Sequence, residues 1–459
     1  MIALLVLLSV GLFALVAGVA VKKQNLIQAT PSLVWFSLMT LPYIFEWQFF
    51  PSGPRAAQST GLFMISAVLA VGDLISLNIK NKEKQELKAL SSNYSRLYYF
   101  LIILILIIPA FHYWKAGMLP IFDQYFGNLT KAQVALEREN FGKLLHVPYL
   151  FKVLVNWVSN IFGPLLVVWL FTVKKYWLAS GVCLWILSYA AASSADGPIV
   201  MFFWLLAFGV GHKTFRLKSV GNLISVAIGL GLLFTVISGV ILGTAALNKS
   251  SQCSVTAGVG FTPGDVLRSC DETSQISLNP VMDRLGYRFF LTPVEVSNRW
   301  YDYFDGNPAG QRHFSNIFER RLPNQASNKV ANWAYVSKFP EKYPKTTSAN
   351  TSIDADAYSF RGFFSVVIVA LILLVIRIFV SFTSKKVYEF ESIFEGLALG
   401  MLAFLPVTAP MQAILLPQGL GLILLTLLII RFKNIIFQAR FQVNKFREFL
   451  FPRMKKYQK

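Results

Sequence analysis

The sequence predicts an all-α polytopic integral membrane protein, and three observations carry that reading. Apolar residues make up 55% of the chain and charged ones only 14%, whereas soluble domains carry about a quarter. The apolar residues come in long blocks instead of alternating, and a block of about 20 suffices to cross hydrocarbon as a helix. The basic residues gather in short clusters at block ends, where they set topology and meet anionic headgroups. The net charge of +20 therefore points to a membrane and away from nucleic acid.

Taken in order, the blocks read as about 11 transmembrane helices. Met1–Val21 is apolar from its first residue and Lys22 and Lys23 follow it. A secretory signal carries its charge before the apolar run, so this reads as an uncleaved span with its N-terminus outside. The next spans are Thr30–Phe50 and Gly61–Ile79, joined by the turn-forming stretch Pro51 to Pro54. A basic inside loop follows, from Lys80 to Arg96, and then the spans Leu97–Trp114 and Pro148–Phe171, with a polar loop at 115–147 between them. Trp177–Ala192 and Pro198–Gly211 form a hairpin. The eighth span, Val220–Thr244, closes the first region, 1–244, and leads into a large polar loop at 245–360. Gly362–Phe382, Tyr388–Leu405 and Met411–Ile430 make up the region 361–430.

The tail at 431–459 interleaves nine basic residues with Phe432, Ile435, Phe437 and Phe441. That pattern suits a helix on the anionic inner leaflet and equally an extension of the last span. Loops assigned to the inside, with this tail, hold 23 of the 43 Lys and Arg; the short outside turns at 51–60, 193–197 and 406–410 hold only Arg55. The distribution of basic residues predicts an outside N-terminus, a cytoplasmic C-terminus, and both polar loops outside.

The large loop reads as mostly helical. Asn279 with Pro280, and Thr292 with Pro293 and Glu295, are helix starts. They predict helices at Pro280–Leu291 and Pro293–Phe304, the second stopped by the run Asp305 to Pro308. A third helix is expected at Arg312–Glu319. Arg284 and Arg288 share a face with Tyr287 near them, Arg299 sits beside Trp300, and Arg320 and Arg321 close the third helix. Arginine forks suit diphosphate, and aromatic faces suit sugar rings. The loop's balance of 12 basic and 11 acidic residues also fits ordinary surface ion pairs. Arg138, in the other outside loop, joins the set if its helix folds back over the mouth of the larger one. Cys253 and Cys270 have no neighbouring histidine to complete a metal site; facing an oxidising compartment, they would close a disulfide. Inside the spans, Asp73 and Arg377 are costly to bury and so mark functional or bridging positions. His313 is the polar loop's histidine and could act as a base.

The stretch from Asn350 to Gly362, running straight into an apolar span, resembles the Wzy-type O-antigen polymerases, as do the Arg320–Pro323 step and the plan of one moderate and one large outside loop. The related O-antigen ligases place a histidine where this chain has Asn350, Asp354 and Asp356, so the likeness is to the polymerases. The resemblance implies a metal-independent, cofactor-free glycosyltransferase of the membrane-embedded, GT-C-like kind in the bacterial inner membrane. It would join undecaprenyl-diphosphate-linked oligosaccharide repeat units at the periplasmic face, with a chain-length regulator as a further partner. On that reading Arg138, Arg284, Arg288, Arg299, Arg320 and Arg321, with Tyr287 and Trp300, would hold diphosphate or sugar, and Asp354, Asp356 or His313 would be the base. An O-antigen ligase and a lipid-linked oligosaccharide flippase are the alternatives.

Overall fold

The computed structural model describes residues 2–23, 25–46, 54–79, 95–117, 133, 137, 141, 148–192, 201–209, 292–305, 351–383 and 389–432, and these residues are helical, with no strand among them. The helices are α1 (Ile2–Lys22), α2 (Leu26–Trp35), α3 (Leu41–Glu46), α4 (Arg55–Asn78), α5 (Ser95–Ala116), α6 (Tyr149–Trp157), α7 (Gly163–Thr172), α8 (Tyr176–Ala192), α9 (201–209), α10 (Thr292–Asp305), α11 (Ile353–Arg361), α12 (Phe363–Thr383), α13 (Glu389–Thr408), α14 (Met411–Leu415) and α15 (Leu420–Phe432). Wide π turns at Phe36–Thr40 and Val158–Phe162 join α2 to α3 and α6 to α7.

Five helical stretches among the described residues are long and apolar enough to cross a membrane: Ile2–Lys22, Arg55–Asn78, Tyr99–Ala116, Tyr149–Thr172 and Phe363–Phe382. α12 is crowded with Val, Ile and Phe, residues with little love of helices in water. In hydrocarbon each backbone group must find its partner within its own segment, and a helix does this. Large apolar side chains face outward on α1, α5, α8 and α12, among them Leu7, Ile107, Leu184 and Val375. An apolar outer surface is what lipid requires, so the chain is a helical, membrane-embedded protein.

Side-chain contacts fix the relative sense of the helices. Ser32 and Thr40 of the α2 region meet Asp73 and Ser66 of α4, so these two run antiparallel. Arg377 and Ser381 of α12 meet Asp73 and Ser76, so α12 runs parallel to α4. Trp185 and Tyr189 of α8 meet Ile105 and His112 of α5 in parallel. α4 and α12 thus run one way and α2 the other. The eighth expected span lies outside the described residues, as do the tail from 433, the expected helices at Pro280–Leu291 and Arg312–Glu319, and the cysteines Cys253 and Cys270.

Two boundaries depart from the sequence reading. The expected last span from Met411 begins as the short helix α14, and the long helix starts only at Leu420. Pro417 cannot continue a hydrogen-bonded ladder, and Gly419 takes a φ of 93° that suits glycine. Trp157 and Asn160, at the second π turn, hold this corner by hydrogen bonds to the Leu416 carbonyl and the Gln418 side chain. The second departure is α11, whose residues Ile353–Phe360 are all buried. It packs against α4, α10, α12, α13 and α14, so the last nine or so residues of the polar loop belong to the bundle.

Asp73 and Arg377 form one buried pair. The Arg377 Nε donates to Asp73 Oδ1 at 2.6 Å, and both side chains are fully buried. Arg377 also donates to the Ser381 hydroxyl and to the Gln28 carbonyl, each at 2.5 Å, while the Ser32 N–H donates to Asp73 Oδ2 at 2.9 Å. The Gln28 amide in turn donates to Glu395 of α13 at 3.1 Å. A Cβ on Gly72 would sit 2.7 Å from the Arg377 Cγ, so glycine lets the guanidinium stem lie along α4. Removing one partner of such a pair strands the other charge, at a cost of about 3–5 kcal/mol. Thermal unfolding in detergent should therefore show Arg377→Ala as strongly destabilised, with the double variant Asp73→Ala/Arg377→Ala recovering part of the loss; a single variant that melts like the wild type would refute the pairing.

Candidate functional site

α10 is the part of the large loop that enters the bundle. Glu295 supplies the acidic first turn that the positive end of the helix dipole favours. Val294, Ser297, Asn298, Tyr301 and Phe304 recur at helical spacing and are buried. This stripe lies against the leading end of α4 and against α11. The Gln58 Nε2 donates to the Val294 carbonyl at 3.0 Å, and the Asn298 Nδ2 donates to Gln58 Oε1 at 2.7 Å. The Ser352 hydroxyl, at the start of α11, donates to Ser297 at 3.1 Å. The Tyr358 hydroxyl donates to Asp305 at 3.1 Å and closes the far end.

Asp354 sits at the centre of this junction and is fully buried. The Tyr301 hydroxyl donates to its Oδ2 at 3.1 Å, whereas Oδ1, though close to the N–H groups of the first turn of α11, makes no hydrogen bond of full geometry among the described residues. The approach is close: a Cβ on Gly61 would lie 1.9 Å from the Tyr301 hydroxyl and 3.2 Å from Asp354 Oδ2. Glycine at 61 is what admits both groups to the surface of α4. Gly362, with φ at 60°, makes the turn by which α11 ends and α12 begins at an angle to it.

Burial pushes the Asp354 carboxyl up from the ordinary carboxylate range, with the Ser352 and Tyr301 hydroxyls and the Ala355 and Asp354 N–H groups pulling the other way. The Tyr301 phenol is raised well above 10, first by burial and then by the Asp354 charge. Tyr358 is raised to about 12 by burial and by Asp305. A carboxyl whose proton affinity is raised is, once ionised, a stronger base than an exposed one.

Other buried polar atoms of α10 and α11 also lack a partner among the described residues: Asn298 Oδ1 and Thr351 Oγ1 on the sides that meet, Trp300 Nε1, and Arg299 Nε on the face of α10 turned away from the stripe, with Trp35 Nε1 at the edge of the π turn that touches α10. Native proteins leave few such groups unpaired, so Asp354, Asn298 and Thr351 together mark the junction.

Of the residues singled out from sequence, Asp354 lies at this junction, Asp356 lies on the same helix, and Trp300 and Arg299 lie on α10, Arg299 on the face away from its buried stripe. Asp356 is buried on α11, Trp300 is fully buried, and Arg299 is half-buried. Arg138, Arg284, Tyr287, Arg288, His313, Arg320 and Arg321 lie outside the described residues. Gln58, Gly61, Asn298 and Thr351 escaped the sequence reading. Their one signal is spacing, since Gln58 with Gly61 and Asn298 with Tyr301 each stand three residues apart and meet turn against turn. Among the described residues no three His, Cys, Asp or Glu side chains gather as metal ligands, and no metal site is assigned. Comparison with known proteins brings no match: no family model fits the chain, and no curated protein or solved structure is significantly similar to it.

Two measurements test this geometry. Gly61→Ala should lose about 1–3 kcal/mol through overpacking, and adding Tyr301→Phe should restore part of it by removing the atom in closest conflict. The raised Asp354 carboxyl stabilises the fold fully below its unfolded value of about 3.9, and that contribution is lost as pH rises through the higher folded value. Melting temperature in detergent should therefore fall with rising pH more steeply for the wild type than for Asp354→Asn; parallel profiles would remove the assignment.

Proposed function

We propose that the chain is a surface-polysaccharide polymerase of the O-antigen type. It would join undecaprenyl-diphosphate-linked oligosaccharide repeat units at the periplasmic face of the bacterial inner membrane. The observation that carries this reading is Asp354, a buried carboxylate with one oxygen held by Tyr301 and the other open. It stands on the segment that resembles the polymerases, at the end of the bundle where the large polar loop enters.

The acceptor hydroxyl attacks the anomeric carbon of the donor sugar. The new glycosidic bond forms as the bond from that carbon to the diphosphate breaks, and the hydroxyl proton passes to Asp354 Oδ1. Undecaprenyl diphosphate leaves with the bonding electron pair. Arg299, with Arg138, Arg284, Arg288, Arg320 and Arg321, would meet the charge that develops on the leaving group. Tyr301 orients the carboxylate through its other oxygen, and the apolar bundle beside the junction accommodates the polyprenyl chain. A basic C-terminal tail on the cytoplasmic side and a chain-length regulator as partner complete the reading.

One observation favours a second reading. The buried Asp73–Arg377 pair lies inside the spans, where transporters keep their charged groups, so a lipid-linked oligosaccharide flippase is the alternative.

Gel analysis of the cell's surface glycan separates the readings. Gene deletion should leave a single repeat on the lipid core if the chain polymerises; loss of export altogether would favour the flippase, and free lipid-linked polymer over a bare core the ligase. Asp354→Asn at normal protein levels should reproduce the deletion, with polymer formation down about 10²–10⁴-fold as expected for loss of a general base. Full-length polymer from that variant would end the base assignment.

A further inference from the structure

The unpaired atoms at the α4–α10–α11 junction have a chemical signature. Asp354 Oδ1 and Asn298 Oδ1 can only accept hydrogen bonds while the carboxyl is ionised; Trp300 Nε1 can only donate; the Thr351 hydroxyl can do either. Asp354, Asn298 and Trp300 are fully buried and Thr351 is 3% exposed. The Asn298–Gln58 and Tyr301–Gly61 contacts are one helical turn apart on both α10 and α4. Tyr301 holds Asp354, and Ser297, next to Asn298, holds Ser352, next to Thr351, so the three residues stand where α10 meets α11.

A diphosphate does not fit this set. Its oxygens only accept at neutral pH, so they would leave the Asn298 and Asp354 oxygens unpaired and would repel the carboxylate. A sugar ring does fit, because each hydroxyl both donates and accepts. The rings of Tyr301 and Tyr358, with centroids 4.7 Å apart, and the Trp300 indole add flat apolar faces of the kind that sugar C–H groups pack against. We infer that this junction is a carbohydrate subsite in which Asn298, Thr351 and Asp354 Oδ1 hold the hydroxyls of a sugar ring, while the diphosphate lies elsewhere. Entry requires α10 to lift from α11, which the side-chain hydrogen bonds Tyr301–Asp354, Ser352–Ser297 and Tyr358–Asp305 now hold together. That the bound sugar is the acceptor unit rests on the polymerase reading; that the site takes sugar does not.

The test is saturation-transfer NMR on the full chain in nanodiscs, with methyl glycosides of glucose, galactose and N-acetylglucosamine as probes and inorganic pyrophosphate as competitor. At least one glycoside should give ring-proton signals that pyrophosphate leaves unchanged. Thr351→Val removes a hydroxyl that makes no hydrogen bond among the described residues, so it should melt like the wild type and yet weaken the signals. Asn298→Leu should weaken binding about tenfold, even though it also loses its bond to Gln58. No signal from any glycoside, displacement by pyrophosphate, or unchanged binding in Thr351→Val would each overturn the subsite. Sugar binding that depends on Thr351, together with an unaltered glycan after gene deletion, keeps the subsite and removes the polymerase. A single-repeat glycan without sugar binding at this junction does the reverse.

Discussion

The rest of the fold depends on the parallel packing of α4 against α12, fastened at both ends by polar contacts in an otherwise apolar interior. At one end Arg377 meets Asp73 across the two helices. At the other, α11 leads directly into α12 and places Asp354 and the Tyr301 hydroxyl against Gly61 of α4. Between these ends the two helices contribute apolar side chains such as Ile65, Leu69, Val369 and Leu373. Dispersion holds such surfaces together without specifying register, whereas a buried guanidinium and carboxylate tolerate only one. The ion pair thereby sets the height of α12, and with it the height at which α11 is carried.

That dependence explains why a short polar helix can be buried on all sides. α11 carries Asp354 and Asp356 in its first turn and Arg361 in its last, each at the end that the helix dipole favours. Its burial would be costly if its side chains had to face lipid. Instead α10 covers it from the loop side, with a stripe that is apolar at Val294 and Phe304 and polar at Ser297 and Asn298. The polar members of the stripe meet polar partners, and the remainder of the junction is aromatic.

The five long apolar helices were legible because hydrocarbon imposes a rule that a sequence obeys residue by residue. Phe363–Phe382 needs no tertiary knowledge to be read as a helix. α10 was legible for another local reason, its start signal at Thr292, Pro293 and Glu295, and the helix runs Thr292–Asp305 as those residues and the following Gly306 lead one to expect. Asp73 and Arg377 each stood out as an ion in an apolar block, but their pairing spans 304 positions and no local pattern reveals it. Gln58 and Asn298, 240 positions apart, were ordinary polar residues until the fold set one against the other. The corner at Gly419 was hidden because Met411–Ile430 is apolar throughout, and hydropathy does not register where the ladder breaks.

The junction combines two demands that pull apart. A structural site would pair Asp354 on both oxygens, and a solvated one would leave it in water at an ordinary carboxylate pKa. Here Tyr301 engages one oxygen, burial raises the proton affinity, and the other oxygen makes no hydrogen bond of full geometry among the described residues. Such an arrangement costs folding free energy and persists only where the surrounding packing over-determines it. Gly61 and the Asp73–Arg377 pair supply that constraint from α4, Gly362 from the turn into α12. The rigidity of the parallel pair is thus the reason that a buried carboxylate can be held in place with one oxygen committed to Tyr301.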